Sequence, residues 1–255
     1  MKIGILTLPL HINYGGYLQA FALKSILLEH GNEVYLIENK NLYGNLLKRG
    51  LRQIKDSFSL LLFYLGKKNK EAEFILKEKK ISIFKDNYMC PIVDISNSKT
   101  LNDLDIVIVG SDQVWRPWKG LCRNSLYFFL DFIKSTKTKK ISYAASFGID
   151  KWEYNPVETI QIKKLLQDFS IISVREDDGV SLLQDNLGLP SIRMCDPTLL
   201  LTKNDYLSTL RIHHPDNDRI SSYILDSNSS KDDMLKIVAS FFKNDVLPLG
   251  YYEDN

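Results

Sequence analysis

The chain has 255 residues, 44% of them apolar and 25% charged, an ordinary globular balance that can fill a packed core. With 33 Lys and Arg against 31 Asp and Glu, no global field draws it to nucleic acid or to an anionic membrane, so partners must be read from local sites. The three widely spaced cysteines, Cys90, Cys122 and Cys195, form no CxxC pair and have no histidine at a metal-ligand offset, which argues against a zinc site and fits a reducing cytosol.

Lys2 to Thr7 is a compact β-rich run. The N-terminus MKIGILTLPL has Gly and Pro inside and no small-residue cleavage pattern, so it reads as a first strand rather than a signal peptide. From Leu18 the apolar positions Leu18, Phe21, Ala22, Ile26 and Leu28 recur near helical spacing until Gly31, a C-cap, and Glu33 to Ile37 reads as a second strand. Right-handed crossover makes these strands parallel, which sets the loop at residues 8 to 16 on the carboxyl edge, where open α/β sheets bind ligands.

Residues 40 to 88 alternate Lys and Arg with Leu, Phe and Tyr, the pattern of amphipathic helices inserted between strands. Two readings stand: a helical cover with a solvated basic face, or a surface resting on a membrane or a lipid-linked glycan. The longest apolar run, SLLLFYL from Ser59 to Leu65, falls far short of the roughly 20 residues a spanning helix needs. Strands are then expected at 104 to 110, 125 to 132, 139 to 148, 171 to 176 and 191 to 201. Helices are expected at 157 to 168 and 178 to 188. This alternation predicts an α/β, doubly wound Rossmann-like domain over residues 1 to 210. A polar linker with Pro215 occupies 211 to 220, and a second βαβ unit begins at 221 to 255. Two short strands and one helix cannot bury a core of their own, so that second Rossmann-like domain is expected to be incomplete and the chain truncated.

Five stretches carry residues suited to chemistry. In HINYGGYLQA, Gly15 and Gly16 permit close backbone approach ahead of a helix whose positive end favours an anion, and Asn13 and Gln19 add side-chain amides; the plainer reading is a tight strand-to-helix turn. GSDQVWRPW delivers Ser111, Asp112 and Gln113 to the same edge, and Trp115 offers an aromatic face of the kind sugars use, unless it simply anchors the loop to the core. SYAASFG ends in small residues, Ser146 and Gly148 among them, that let a ligand approach or a helix pack. In SVRED, Arg175 suits bidentate capture of carboxylate or phosphate, or makes a local salt bridge to Glu176 or Asp178. Asp196-Pro197 reads as a structural turn. Of four histidines, His11 alone is placed for acid or base work; no metal ligand set is visible.

Taken in order, NYGGYLQAFAL, VIVGSDQVW, YFFLDF, ISYAASFG, SVREDDGV and CDPTLLL resemble the polysaccharide pyruvyl transferase family across residues 1 to 206. The resemblance implies a glycosyltransferase-B-like fold of two Rossmann-type domains facing a cleft. It also implies transfer of a pyruvyl group from phosphoenolpyruvate to a sugar, as a ketal, in capsule, exopolysaccharide or cell-wall polymer synthesis, with no cofactor beyond that donor. Arg175 would take the donor anion, with Asn13, Gly15 and Gly16 lining the cleft. Ser111, Trp115, Ser146 and Gly148 would face the acceptor, a free sugar or a lipid-linked oligosaccharide, and His11 and Asp112 would move protons. Work in the cytoplasm, at the inner face of the membrane, is the matching expectation. Family members carry a histidine in a DSFHG or RLH type motif in a second domain; nothing like it precedes Asn255, so that residue maps to no position here and a partner supplying the missing domain is expected. The competing classes are a non-catalytic glycan-binding module and a nucleotide-sugar glycosyltransferase on the same architecture.

Overall fold

The computed structural model describes residues 1–10, 13–39, 70–89, 91–117, 126–212, 220–224 and 228–248. Its chain divides into two compact units, Met1–Thr202 and Lys203–Asn255.

A six-stranded, fully parallel sheet organises the first unit. It is built from β1 (Lys2–Leu6), β2 (Glu33–Glu38), β3 (Ile92–Asp94), β4 (Ile106–Gly110), β5 (Lys139–Tyr143) and β6 (Phe169–Ile171), in the order β3-β2-β1-β4-β5-β6. That is a Rossmann-like order, and the chain reverses its direction of sheet growth between β1 and β4. KIGIL and IVIVG are apolar almost throughout because central parallel strands are covered on both faces; Ile3, Ile5, Val107 and Val109 are all buried. A shorter parallel pair, β7 (Ser173–Val174) with β8 (Ile192–Arg193), continues beside the sheet, joined to it by a bridge between Ala145 and Val174.

Helix α1 (Tyr14–Glu29) begins four residues before the apolar periodicity predicts, because Asn13 caps it: its side-chain oxygen accepts from the Gly16 N–H at 3.1 Å. Of the inserted segment at 40 to 88, the described part is α2 (Lys70–Tyr88). Its Phe84 and Tyr88 meet Tyr17 and Phe21 of α1 edge to face, Lys24 donates to the Tyr88 carbonyl at 2.7 Å, and Lys85 pairs with Glu38 at 2.5 Å. Over residues 70–88 this packing agrees with the helical-cover reading; residues 40–69 lie outside the described residues. Among the described residues no helix is long and apolar enough to cross a membrane.

Three expected strands change form. Residues 125 to 132 hold a 3-10 turn at Tyr127–Phe129 closed by Leu130 at φ 58°. A strand would send adjacent rings to opposite faces, whereas the turn puts Tyr127, Phe128 and Phe129 into the one core that also holds Trp115. The stretch 171 to 176 is split between β6 and β7. The stretch 191 to 201 reduces to β8 followed by a 3-10 turn, Pro197–Leu199, capped by Asp196 and packed against α1. The short helix α3 (Ser98–Asn102), like β3, is too brief for periodicity to announce. The helices expected at 157 to 168 and 178 to 188 appear as α4 (Pro156–Leu166), opened by an Asn155–Glu158 capping box, and α5 (Asp177–Leu187), closed by Gly188.

The second unit contains α6 (Lys203–Thr209) and a parallel βαβ unit: β9 (Ile220–Ser222), α7 (Ser229–Phe242) and β10 (Val246–Pro248). No residue of α7 is buried, and Met234, Ile237 and Phe241 form an exposed apolar stripe.

Candidate functional site

The carboxyl ends of β1 and β4 meet at the point where sheet growth reverses, the place where ligands settle in open α/β sheets. Strand β4 runs out at Gly110, which has φ 122°; a Cβ there would sit 2.2 Å from the Tyr143 carbonyl oxygen of β5, so no other residue fits. The Gly110–Ser111 peptide is cis, and Asp112 follows at φ 73°. Ser111 is turned inward and fully buried. Its N–H donates to Gln19 Oε1 at 2.9 Å, and its hydroxyl lies 2.9 Å from the Ala144 carbonyl and 3.1 Å from Asp196 Oδ2, able to give its one proton to either. Gln19 is held in turn, donating to Thr7 Oγ1 and to the Gly16 carbonyl, both at 2.9 Å.

From Asp196 the connections run outward. Its Oδ2 accepts from Arg175 Nη1 at 3.2 Å, and its Oδ1 accepts from the N–H and hydroxyl of Thr198 at 3.0 and 2.8 Å. Arg175 Nε donates to Glu176 Oε1 at 2.7 Å, which also accepts from Ser146 Oγ at 3.1 Å, and Ser146 Oγ accepts from the Gly148 N–H at 2.9 Å. An unbroken line of hydrogen bonds therefore joins α1, β1, β4, β5, β7 and the Pro197–Leu199 turn along one edge.

The electrostatics follow the geometry. Burial by itself pushes the Asp196 carboxyl up, but the Thr198 N–H and hydroxyl, Arg175 and Ser111 outweigh it and hold the group below its ordinary value. Burial works against the Arg175 cation, and the hydrogen bond and charge of Glu176, followed by those of Asp196, overcome it and raise the guanidinium further. Nearby, burial first and then Cys195 and Asp196 push the Tyr143 phenol up to about 12, so it stays protonated. Two of the five N–H donors of Arg175 are engaged among the described residues, and its side chain is 30% exposed.

Each residue singled out in the sequence can now be placed. Asn13 is exposed and spends its amide oxygen on the helix cap. Gly15 and Gly16 have no left-handed φ: they form the first turn of α1, where the nearest obstacle to a side chain is Asn13, at 3.4 and 3.3 Å. Neither needs an unusual backbone conformation there. Ser111 and Ser146 are fully buried links of the line, while Gly148 is exposed at φ 70° with Gln113 where its Cβ would be. Asp112 is half-buried, with Oδ1 accepting its neighbour's N–H from Gln113 at 2.8 Å.

Trp115 requires correction. It has no exposed surface, stacks on Phe129 at 5.5 Å and donates Nε1 to the Phe128 carbonyl at 3.1 Å, so as placed it offers no face to a sugar and anchors the loop. His11 and Trp118 lie outside the described residues. Thr7, Glu176, Asp196 and Thr198 are the members that the site reading from sequence missed. Asp196 had a signal: an Asp followed by Pro at the first helical position and Thr next is a capping pattern, which marks a carboxylate with fixed donors.

The family model for polysaccharide pyruvyl transferase matches residues 13–253. The chain belongs to this family. No curated protein matches it. For a polysaccharide pyruvyl transferase the placement is apt: the match starts at the cap of α1, and within it the line of hydrogen bonds gathers a guanidinium, two carboxylates and four hydroxyls along the carboxyl edge, from the switch point to the end of β7. Such an edge can hold an anion on Arg175 and offers Glu176, with a side chain 40% exposed, for proton transfer at the surface.

Proposed function

We infer that this chain works in pyruvyl transfer from phosphoenolpyruvate to a pair of sugar hydroxyls, forming a ketal on a surface polysaccharide or its lipid-linked precursor. Family membership supports the polysaccharide substrate class. The observation that carries the donor assignment is Arg175, fixed on the carboxyl edge by Asp196 with donors still to give. In the reaction the enol methylene gains a proton and becomes methyl, one sugar oxygen adds to the adjacent carbon, and the second displaces phosphate. The two hydroxyl protons balance the one taken up by carbon and the one leaving with phosphate. The chain must therefore neutralise an anionic donor and supply both an acid and a base.

Arg175 takes the donor's carboxylate or phosphate, and Asp196, pinned by Thr198 and Ser111, keeps the guanidinium aimed. Glu176 yields its place on Arg175 to the incoming anion and is then free to accept a hydroxyl proton. Asp112 and His11 are the further acid and base candidates, and the first turn of α1 lines the donor side. With phosphoenolpyruvate as donor the setting is the cytoplasm, at the membrane's inner face where the acceptor is lipid-linked.

The test uses the full chain with phosphoenolpyruvate and a panel of oligosaccharides carrying free vicinal or 4,6-hydroxyl pairs, following phosphate release and ketal formation. Replacing Arg175 by Ala is expected to lower turnover by about a hundredfold or more, as loss of a transition-state donor does. Turnover unchanged in that variant, or no calorimetric binding of phosphoenolpyruvate by the parent, sinks the donor assignment.

A further inference from the structure

A second recess opens at the other end of the same sheet, at the amino-terminal ends of β5 and β6. It has a volume of about 390 Å3 and lies between the 131–138 loop, the start of β5, the end of α4 and Asp168. That volume is within the range of about 300–1,000 Å3 typical of small-molecule pockets. Strand β5, five residues long, separates it from the carboxyl edge by about 13 Å of extended chain.

Its wall contains a lysine whose stem is buried: Lys140 is 8% exposed, and its ammonium belongs to the lining. Its ion pair is Asp168 Oδ2 at 3.8 Å, too long for a hydrogen bond, and Asp168 is itself 67% exposed at the rim. The cation is therefore held at the wall of a cavity with donors to give. Nearby, Ser135 Oγ accepts from the N–H groups of Lys137 and Thr138, both at 3.3 Å, which leaves its own proton to donate.

The lining selects the ligand class. Lys134 and Lys140 stand against Asp131 and Asp168, so the recess is balanced in charge, with the hydroxyls of Ser135 and Thr136 between. A phosphate, which only accepts, would meet two acidic residues; an ammonium, which only donates, would meet two lysines. Sugar hydroxyls both donate and accept, and the aliphatic sides of Ile133 and Leu165 suit the C–H face of a pyranose.

We propose that this recess is a second carbohydrate subsite that holds a neutral pyranose residue of a glycan away from the carboxyl edge. It rests on the polysaccharide part of the proposed function and not on phosphoenolpyruvate.

Saturation-transfer NMR on the full chain tests it, with the methyl glycosides of glucose, galactose, mannose and N-acetylglucosamine as probes and inorganic phosphate followed by its 31P linewidth. Transfer to at least one glycoside is expected, with affinity weakened about tenfold or more in Lys140→Met, transfer reduced in Thr136→Trp, which fills the recess from an exposed position, and the Thr136-dependent part retained in Arg175→Ala. Should Lys140→Met fail to fold, Thr136→Trp decides. The proposal is overturned by no transfer to any glycoside, by a response to phosphate alone, or by transfer that Thr136→Trp leaves undiminished. Loss in Arg175→Ala with retention in Lys140→Met also overturns it, by moving the sugar to the other edge. Glycoside binding here without phosphate release there upholds the subsite and removes the donor assignment; the reverse does the opposite.

Discussion

Asp196 receives hydrogen bonds from Thr198 through both its N–H and its hydroxyl, from Arg175, and from the Ser111 hydroxyl when that proton is not given to Ala144. Each binds the ionised form more strongly than the neutral one, and their sum exceeds the effect of burial. Because the folded pKa lies below the unfolded one, the unfolded chain binds more protons in acid. The stabilisation is complete above the unfolded value of about 4 and is lost as pH falls through the lower folded value. Replacing Asp196 by Asn should cost about 1–3 kcal/mol at neutral pH, with parent and variant converging in strong acid. Urea melts at a series of pH values between 3 and 7 would show this, and parallel curves would contradict it. Trp115 makes a separate prediction: buried among Phe129, Phe147 and the Phe128 carbonyl, its change to Ala should cost about 3–5 kcal/mol, read as a drop in the urea midpoint. A rim-exposed sugar platform would instead lose affinity with little change in stability.

At the scale of elements, the end of β4 is the constrained joint. With Gly110 at φ 122° and its Cβ position 2.2 Å from a β5 carbonyl, Gly110→Ala must push the two strands apart or rebuild the turn. A loss of at least about 3 kcal/mol, or failure to accumulate folded protein, is expected from thermal melting. The alternation of strand and helix was legible, as was the strand end at Gly110, because period and turn residues are local properties; the strand expected over 139 to 148 stops at Tyr143. What stayed hidden depended on distance. Gln19 meets Ser111 across 92 residues and Ser111 meets Asp196 across 85, and no spacing rule reports such pairs. The inward turn of Ser111 and Trp115 escaped for a related reason: periodicity says which face a strand residue takes, but not where a side chain points once the strand has ended. The YFF run misled because three adjacent large rings satisfy a strand pattern and a tight turn equally well until the surrounding core is known.

For the whole molecule, the two units differ in how much they bury. The first holds the six-stranded sheet and its aromatic core, whereas the described part of the second has a two-stranded sheet and two helices with no buried residue. Residues 1–202 expressed alone should melt cooperatively and keep a dispersed amide spectrum, while 203–255 alone should give the narrow dispersion of an unfolded peptide. A dispersed spectrum from the shorter piece would refute this. One last property follows from the line of bonds between Gln19 and Gly148. Since every member both receives and passes on a constraint, removing one relaxes its neighbours, and a second substitution then finds less to disturb. Paired changes along it cannot be summed from single ones: the edge responds as a cooperative whole, and the energy assigned to any one member depends on which others remain.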